Sequence, residues 1–563
     1  MAAAQLPVFD WAHGFGATYQ DGSNAITTDA KGNSYTIGYF NYDVDFDPGA
    51  DSFVLHSSED GYRNTNAFIL KLSPSGALIW AKQIRPKSYK NGHALGRCIV
   101  LDDFGNLYCN GFFRDTIDFD PGPATAYIAG GADMDVFILK LTVDGDFVWA
   151  RKLAGNGNED ALAIATDKSG NVYNTGFFDS DAIDMDPGPS TFFLKKTGPY
   201  HNMFVSKLDS TGRFAWAGAL SGPGFGFAMS IKADRDKNML IGGYFTGTVD
   251  FDPGTGVNNK TSEEEDDMFL MKLDSNGKTV WLNILGGNGR DQCTDIVLDD
   301  TGNIYSTGIF GSLLDFDPGP GVALMTPAPA PYNRGAYILK TTAGGNFAWV
   351  KGPDGVVNAD AIALDKYGSV YTVGYFIYTV DFDPGAGTYT VHSDRGPRYI
   401  WKLDQHGNFS WVVNFGDDVH WGTRLALCAD GSIYTCGAFR GTADFDPDPV
   451  KKTMLSSYDK DYTDFYIQKL TQPKLAIPAA GSSSGQLTIY PNPAKDMLHI
   501  DFEPVTDASF TISNTAGQPV RSGMIKAGTG CTALVLSSLP AGYYTLSITP
   551  AGGIAVATPF IKE

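Results

Sequence analysis

The chain has 563 residues and a formal net charge of −21, with a pI near 4.7. This acidic balance argues against nucleic acid and anionic membrane surfaces as partners. No apolar run approaches the roughly 18 residues of a transmembrane helix, so no transmembrane segment is predicted. The length allows two domains with cores of their own.

The first predicted element is a strand at Val8–Phe15. Its sequence is similar to the last strand of a unit that is repeated along the rest of the chain. The unit is marked by the phrase Asp-x-Asp-Pro-Gly, whose starting positions step by 73 (118 − 45) to 63 (444 − 381) residues. A near-constant period indicates one supersecondary unit repeated around or along an axis. The seven copies are Asp45–Gly49, Asp118–Gly122, Asp184–Gly188, Asp250–Gly254, Asp315–Gly319, Asp381–Gly385 and Asp444–Asp448.

Each unit contains four short runs rich in Val, Ile, Tyr, Phe and Trp, bounded by Gly, Asp or Pro, which is the pattern of strands and turns. Four strands per unit is typical of one propeller blade. Glycines such as Gly243 and Gly308 recur inside the second strand, where close backbone approach is expected. A recurring Trp in the fourth strand is predicted to pack in the core.

The last unit ends after Asp464–Leu470 without a fourth strand, and Val8–Phe15 supplies the missing one. Closing the ring removes two unpaired strand edges, which otherwise invite aggregation. The sequence therefore predicts an all-β fold, a seven-bladed β-propeller closed by the N-terminal strand, with Val8–His13 beside Phe465–Leu470.

Two of the repeat phrases, Ala161–Tyr173 and Met268–Gly277, resemble the bacterial repeat family called SBBP, over roughly residues 8–470. The resemblance implies an extracytoplasmic propeller with a binding or scaffolding role and assigns no catalytic residues. The Asp-x-Asp-Pro-Gly loop departs from the family's usual loop, so a site built from it would belong to this chain.

The composition changes after the repeats. Residues 471–485 are rich in small residues and are predicted to be a linker between a propeller at 1–470 and a second domain at 486–563. The second domain reads as a small Ig-like β-sandwich of about seven strands. Its Tyr490–Pro493 opening, its Leu539–Tyr544 segment and its final strand ending at Glu563 resemble the C-terminal sorting domain of type IX secretion cargo. That resemblance implies the type IX machinery as a partner through residues 486–563, and a secreted or outer-membrane-surface protein of a Gram-negative bacterium.

The repeated loops carry the candidate metal ligands. Residues i and i+2 of an extended segment point the same way, so each loop aims two carboxylates to one side, and Ca²⁺ prefers such oxygen ligands. The alternative is that these Asp residues accept backbone N–H bonds and fix the turn. The candidates are Asp45, Asp47, Asp118, Asp120, Asp184, Asp186, Asp250, Asp252, Asp315, Asp317, Asp381, Asp383, Asp444 and Asp446.

The eight histidines form no zinc-binding spacing, and a carboxylate pair repeated in every unit is poor evidence for one active site. Recognition is expected in the variable loops after each motif, where Tyr62, Tyr200 and Tyr332 could stack on sugars or anchor a protein. We therefore expect a monomeric binding or scaffold protein with a glycan or protein ligand on the loop face. A polysaccharide-active hydrolase or lyase on the same scaffold is the alternative. Cys98 and Cys109 lie on adjacent predicted strands, and whether they pair is left open.

Overall fold

The computed structural model describes residues 6–57, 65–88, 92–416, 419–472, 488–490, 494–495, 497–501, 507–514, 518–526, 531–550 and 556–562. Within these ranges the chain forms strands and turns and no α-helix. The described residues therefore contain no helix that could span a membrane. Two compact units meet at Gln472 in the chain, the larger spanning Leu6–Gln472. Thr471 and Gln472, the first two residues of the linker predicted at 471–485, belong to the larger unit, and Thr471 ends a strand. Residues 473–485 and Tyr62 lie outside the described residues.

The larger unit contains seven antiparallel sheets with four main strands each, numbered here 1 to 7 in chain order. Thr116–Asp118 and Tyr127–Ala129 extend sheet 1 to six strands, and Thr390–Ser393 adds a fifth strand to sheet 6. The first strands are Gly22–Thr28, His93–Leu101, Glu159–Thr166, Phe225–Ala233, Gln292–Leu298, Asp354–Leu364 and Val419–Leu427. The second strands are Ser34–Phe40, Asn106–Arg114, Val172–Phe178, Met239–Thr246, Ile304–Phe310, Val370–Asp381 and Ile433–Phe439. The third strands are Asn66–Leu72, Asp135–Thr142, Asn202–Leu208, Asp267–Leu273, Gly335–Thr341, Arg398–Leu403 and Asp464–Thr471. The fourth strands of sheets 1 to 6 are Leu78–Pro86, Phe147–Leu153, Phe214–Leu220, Thr279–Leu285, Phe347–Lys351 and Phe409–Phe415.

The fourth strand of sheet 7 is the N-terminal strand Val8–Phe15. It pairs antiparallel with the third strand, with Val8 opposite Thr471 and Phe15 opposite Phe465. The rings of Phe15 and Phe465 stack at a centroid distance of 4.9 Å. The predicted pairing of the two ends of the larger unit is therefore confirmed.

Each Asp-x-Asp-Pro-Gly motif lies in the connection between the second and third strands. That connection forms a short two-stranded ribbon. The ribbons pair Asp43–Asp45 with Val54–His56, Thr116–Asp118 with Tyr127–Ala129, Ala182–Asp184 with Phe193–Lys195, Thr248–Asp250 with Asn259–Thr261, Leu314–Asp315 with Leu324–Met325, the end of Val370–Asp381 with Thr390–Ser393, and Thr442–Asp444 with Met454–Ser456.

The apolar residue between the two Asp residues of each motif is fully buried between consecutive sheets. Phe251 packs at a centroid distance of 5.0 Å from both Phe245 and Phe269 of its own sheet 4. The same cluster contains Met203 and Val205 of sheet 3. The equivalent residues Phe46, Phe119, Met185, Phe316, Phe382 and Phe445 are also 0% exposed. The motif thus ties each sheet to the one before it.

Sheet 7 packs against sheet 1 through the same kinds of contact. Phe46 of sheet 1 shares a core cluster with Phe465 of sheet 7. The indole nitrogen of Trp11 donates to the Pro74 carbonyl at 3.1 Å, as Trp80 of sheet 1 does to Val143 of sheet 2 at 3.3 Å. These contacts repeat the arrangement between sheets 1 and 2, and they make Trp11 and its counterparts packing residues, as predicted.

The recurring glycines face a β-bulge in each first strand. In sheet 4 the register shifts between Ala228 and Ser230, so Met229 is an extra residue opposite Gly243. A Cβ atom on Gly243 would lie 2.0 Å from the carbonyl oxygen of Phe227. Only glycine fits this close approach. The bulge residues of the seven sheets are Asn24, Arg97, Leu162, Met229, Thr294, Asp360 and Thr423.

The bulge also settles the question of Cys98 and Cys109, which are both free thiols. Cys98 lies opposite Asn110, and Cys109 lies opposite Ile99. Because successive side chains of a strand point to opposite faces, the two sulfurs lie on different faces of sheet 2.

The C-terminal unit has two sheets. One contains Thr488–Tyr490, Met497–Asp501 and Cys531–Val535, and the other Pro519–Ile525, Ala508–Asn514, Gly542–Pro550 and Val556–Lys562. Leu498 and Ile500 of the first sheet share one core with Phe510, Ile512 and Leu546 of the second.

Candidate functional site

The predicted metal ligands fix their own loops by hydrogen bonds. In the fourth motif, Oδ1 of Asp250 accepts from the backbone N–H of Asp252 at 3.0 Å and of Asn258 at 2.7 Å. Oδ1 of Asp252 accepts from the N–H of Gly254 at 2.8 Å. The structure thus has the bonds that the turn-fixing interpretation requires.

The same three bonds recur in the other six motifs. The first Asp accepts from residues two positions and eight or nine positions later, and the second Asp accepts from the residue two positions later. The first carboxylates are Asp45, Asp118, Asp184, Asp315, Asp381 and Asp444. The second are Asp47, Asp120, Asp186, Asp317, Asp383 and Asp446.

Among the residues that the structure describes, no group of three or more His, Cys, Asp or Glu side chains is arranged to hold a metal ion. Calcium binding by the Asp pairs stays a hypothesis for experiment. In two of the motifs the second oxygen of the first carboxylate already faces a basic side chain, since Oδ2 of Asp118 and of Asp444 lies 3.8 Å from Arg85 and Lys452.

Replacing Asp250 separates the two interpretations. We expect Asp250→Asn to leave the thermal midpoint nearly unchanged, because an amide oxygen still accepts both N–H bonds. Asp250→Ala should lower the free energy of unfolding by about 1–3 kcal/mol, because two loop N–H groups lose their acceptor. Thermal unfolding with and without EDTA provides the check. A midpoint that falls in EDTA and recovers with Ca²⁺ but not Mg²⁺, together with a smaller response in Asp250→Asn, would instead support calcium.

Exposed aromatic side chains lie in the connections that carry the motifs. Tyr332 of sheet 5 and Tyr378 of sheet 6 are both 42% exposed. Their hydroxyl groups hydrogen-bond at 2.7 Å and their ring centroids are 5.4 Å apart. Tyr200 is also exposed, 5.4 Å from the ring of Phe225. The variable loops therefore present aromatic faces at two places, and one of them spans two sheets.

A cavity of about 370 Å³ lies among the first strands of all seven sheets, and we call it the first-strand cavity. The residue after each bulge lines it. Four of these seven positions carry reactive or polar side chains, so the repeat is not symmetric here. The residues are Ala25, Cys98, Ala163, Ser230, Asp295, Ala361 and Arg424.

Asp295 is held mainly by neutral donors. Its carboxylate accepts from the hydroxyl of Ser230 at 2.7 Å and from the N–H of Ile362 at 3.1 Å. Nζ of Lys232 lies farther away, at 3.8 Å. Burial raises the pKa of the Cys98 thiol, against the nearby charges of Lys232 and Arg424. Cys98 is thus a thiol rather than a thiolate at neutral pH, and no histidine is among the described residues lining the cavity.

The other two basic side chains differ in their partners. Arg97 makes a charged pair with Asp160, with Nη2 2.7 Å and Nε 3.1 Å from Oδ2. Nη1 of Arg424 donates to the backbone carbonyl of Asp360 at 3.2 Å, while the carboxylate of Asp360 pairs with Arg398 at 3.1 Å. Arg424 therefore has a carbonyl acceptor where Arg97 has a carboxylate.

Buried carboxyl groups lie next to each other where three pairs of sheets meet. Asp267 begins the third strand of sheet 4, and the N–H of Asp291 in sheet 5 donates to the carbonyl of its neighbour Asp266 at 2.7 Å. Asp464 and Asp21 lie in the same way between sheets 7 and 1, and Asp135 and Glu159 between sheets 2 and 3. All six are at most 4% exposed.

These carboxyl groups have raised pKa values. Burial raises the pKa of Asp291 to about 7, and the nearby charge of Asp267 adds to the shift. Burial likewise raises the pKa of Asp464 and of Glu159 to about 7. Oδ1 of Asp267 and Oδ1 of Asp464 are buried without a hydrogen-bond donor. Charging these groups is costly in the folded state.

Sequence reasoning missed both the first-strand cavity and the carboxyl pairs. The alignment of repeats on the residue after each bulge would have revealed the asymmetric column of Cys98, Ser230, Asp295 and Arg424. The carboxyl pairs have no such local signal, because Asp21 and Asp464 lie at opposite ends of the larger unit.

Residues 488–562 match the family model described as a secretion system C-terminal sorting domain. The match implies an interaction with the type IX secretion machinery. It also confirms the predicted localisation, secreted or at the cell surface.

The repeats are similar to an uncharacterized WD repeat-containing protein of Acanthamoeba polyphaga mimivirus. The two are 22% identical over an alignment that covers 76% of this chain and 36% of the relative. The chain thus spans about a third of the length of this curated relative. The similarity supports a β-rich repeat protein.

Among solved structures, the chain is similar to a Dyadobacter fermentans protein of unknown function, at 9% identity and a TM-score of 0.34, covering 66% of this chain and 93% of that one. It is also similar to a glycoside hydrolase family 32 structure from Bifidobacterium adolescentis, at 8% identity and a TM-score of 0.22, covering 98% and 95%. Similarities at these TM-scores carry no functional argument.

Proposed function

We propose that this protein is a secreted or surface-displayed binding or scaffold protein, exported by the type IX route, that binds a glycan or a protein on its loop face. Its seven sheets would be the blades of a closed β-propeller built from SBBP-type repeats, and the protein would act as a monomer. The repeated contact between consecutive sheets supports this arrangement, as does the packing of sheet 7 on sheet 1 through Phe46 and Trp11.

The Tyr332–Tyr378 pair is the observation that favours a binding role. Tyrosine supplies a large, rigid contact area at low entropic cost, and its ring stacks on the apolar faces of sugars. The two side chains come from neighbouring sheets and remain 42% exposed while bonded to each other. A partly exposed aromatic pair with Tyr332 on a variable loop and Tyr378 on the neighbouring sheet is suited to recognition.

Alanine at Tyr332 and Tyr378 should abolish most of this binding. We expect the double variant to lose at least about tenfold in affinity for the glycan or surface protein that the wild type selects on an array, because aromatic anchors dominate such contacts. Tyr458→Ala is the matched control, since Tyr458 is 73% exposed elsewhere. Equal loss in the control would contradict the assignment, and turnover of a polysaccharide in a parallel hydrolysis screen would favour the enzyme alternative.

We expect export to depend on the C-terminal unit. Folding of the larger unit should not depend on it. A chain truncated after Gly485 is expected to keep the thermal transition of the larger unit and to remain inside its native host, because residues 488–562 match the sorting domain. Fractionation of culture medium, outer membrane and cells measures the outcome. Normal secretion of the truncated chain would refute the export assignment.

A further inference from the structure

We propose that the first-strand cavity binds a small, sugar-sized molecule that carries an oxyanion, held by Arg424 and Lys232. The described residues that line it lie in first strands and not in the connections that carry the motifs, so the proposal does not rest on the function proposed above. Its basis is an excess of basic side chains, with incompletely used hydrogen-bonding capacity, around a cavity in an acidic protein.

Arg424 supplies the first argument. Its guanidinium has five N–H donors in a fixed fork that suits carboxylate and sulfate oxygens. In the structure Nη1 donates to the backbone carbonyl of Asp360 at 3.2 Å, with Thr423 O at 3.5 Å. The charge of Arg424 acts on the carboxyl group of Asp360, which is already paired with the buried Arg398 at 3.1 Å. Most of the fork can therefore receive an anionic ligand.

Lys232 supplies the second argument. Its nearest carboxylate, Asp295, is 3.8 Å away and accepts shorter bonds from Ser230 and Ile362. The side chain of Lys232 is 38% exposed, although it lines the cavity. Its ammonium donates only a long bond, 3.4 Å, to the hydroxyl of Ser230, so it can turn toward an anion. An ammonium and a guanidinium that line the same cavity favour an oxyanion over a neutral ligand.

The charge balance of the cavity points the same way. Among the described residues, its charged lining residues are Arg97, Lys232, Arg424 and Asp295, three positive and one negative, in a chain of net charge −21. Including the partners Asp160, Asp360 and Arg398 leaves four positive and three negative groups. The cavity therefore has a net positive set of side chains inside an acidic protein.

The size and the walls set the ligand class. A volume of about 370 Å³ falls at the small end of ligand pockets. Ala25, Ala163 and Ala361 leave the space open, and Leu162 and Met229 add apolar wall. A single sugar ring bearing a carboxylate or a sulfate suits this combination of apolar walls and basic side chains.

The test uses the full chain and isothermal titration with three matched probes, D-glucuronate, D-glucose 6-sulfate and neutral D-glucose. We expect at least one anionic sugar to bind with one site per chain, and D-glucose to bind at least about tenfold more weakly, because charge-assisted bonds are lost. Binding of D-glucuronate alone identifies a carboxylate site, and binding of both anions identifies a general oxyanion site.

Two variants locate the site. Arg424→Gln and Lys232→Met should each weaken binding by roughly ten- to a hundredfold, while Arg424→Lys retains part of the affinity. Arg213→Gln removes an exposed positive charge in a turn outside the cavity and should change nothing. If Arg424→Gln fails to fold, Lys232→Met carries the test, because the Lys232 side chain is partly exposed. No binding by either anion, equal binding of D-glucose, or unchanged affinity in the two variants would overturn the proposal.

Discussion

Deletion of residues 1–16 is expected to unfold the larger unit or to send it into aggregates. The deletion removes the whole fourth strand of sheet 7, including the buried Trp11 and Phe15. Loss of one large buried aromatic side chain costs about 3–5 kcal/mol, so the two together remove roughly 6–10 kcal/mol, comparable with the entire stability of a domain. It also exposes Asp464–Thr471 as an unpaired edge.

The check is thermal unfolding and gel filtration of the shortened chain beside a chain lacking only residues 1–5, which keeps the strand intact. A synthetic peptide of residues 6–16 should partly restore the transition when added in excess, because it can pair with the exposed edge. If the deletion lowered stability no more than the control does, the role of the N-terminal strand would be refuted.

Asp464→Asn is expected to stabilise the protein at pH 8, by about 2–4 kcal/mol. The pKa of Asp464 is about 7 in the folded state against an ordinary value of 3.8. The folded protein therefore holds a proton that the unfolded chain releases, and this contribution to stability is lost as pH rises through about 7. The variant has no charge to bury, and asparagine already occupies the same strand position at Asn66 and Asn202.

The advantage of Asp464→Asn should shrink to less than half at pH 5, where the wild-type carboxyl is protonated in the folded state. The difference between variant and wild type is the quantity to measure, by urea unfolding at both pH values. Buried His93, whose pKa is lowered to about 4 mainly by burial, opposes the carboxyl groups below its ordinary pKa of 6.5 in the wild-type curve. Asp300→Asn is the control, since Asp300 is 99% exposed; equal changes in both variants would contradict the prediction.

Sequence periodicity predicted most of the architecture because one physical requirement recurs in every unit. Each Asp-x-Asp-Pro-Gly loop must seal one sheet onto the previous one, and it does so with the same buried residue and the same backbone bonds, as at Phe251 and Asp250. The glycine column was predictable for the same reason, since the close approach at Gly243 recurs from unit to unit. A structural requirement that recurs in every unit produces a sequence pattern with the same period.

The cavity and the carboxyl pairs depend on what does not repeat. Cys98, Asp295 and Arg424 share one cavity because their sheets face a common space, and the bulge shifts each of them out of simple alternation. The proximity of Asp21 and Asp464 depends on sheet 7 meeting sheet 1. Neither arrangement follows from local strand patterns, so only the three-dimensional structure could bring these residues together.

The bulge in each first strand allows the residues that line the cavity to change while the fold of the unit stays the same. The glycine opposite it allows the close backbone approach, and the side chain at the bulge differs from unit to unit. This chain carries Asn24, Arg97, Leu162, Met229 and Thr294 at equivalent bulge positions that line the cavity. Duplicated units can therefore differ in what they bind without a change in how they fold. We expect variants randomised at these five positions to keep the same fold and to bind different ligands.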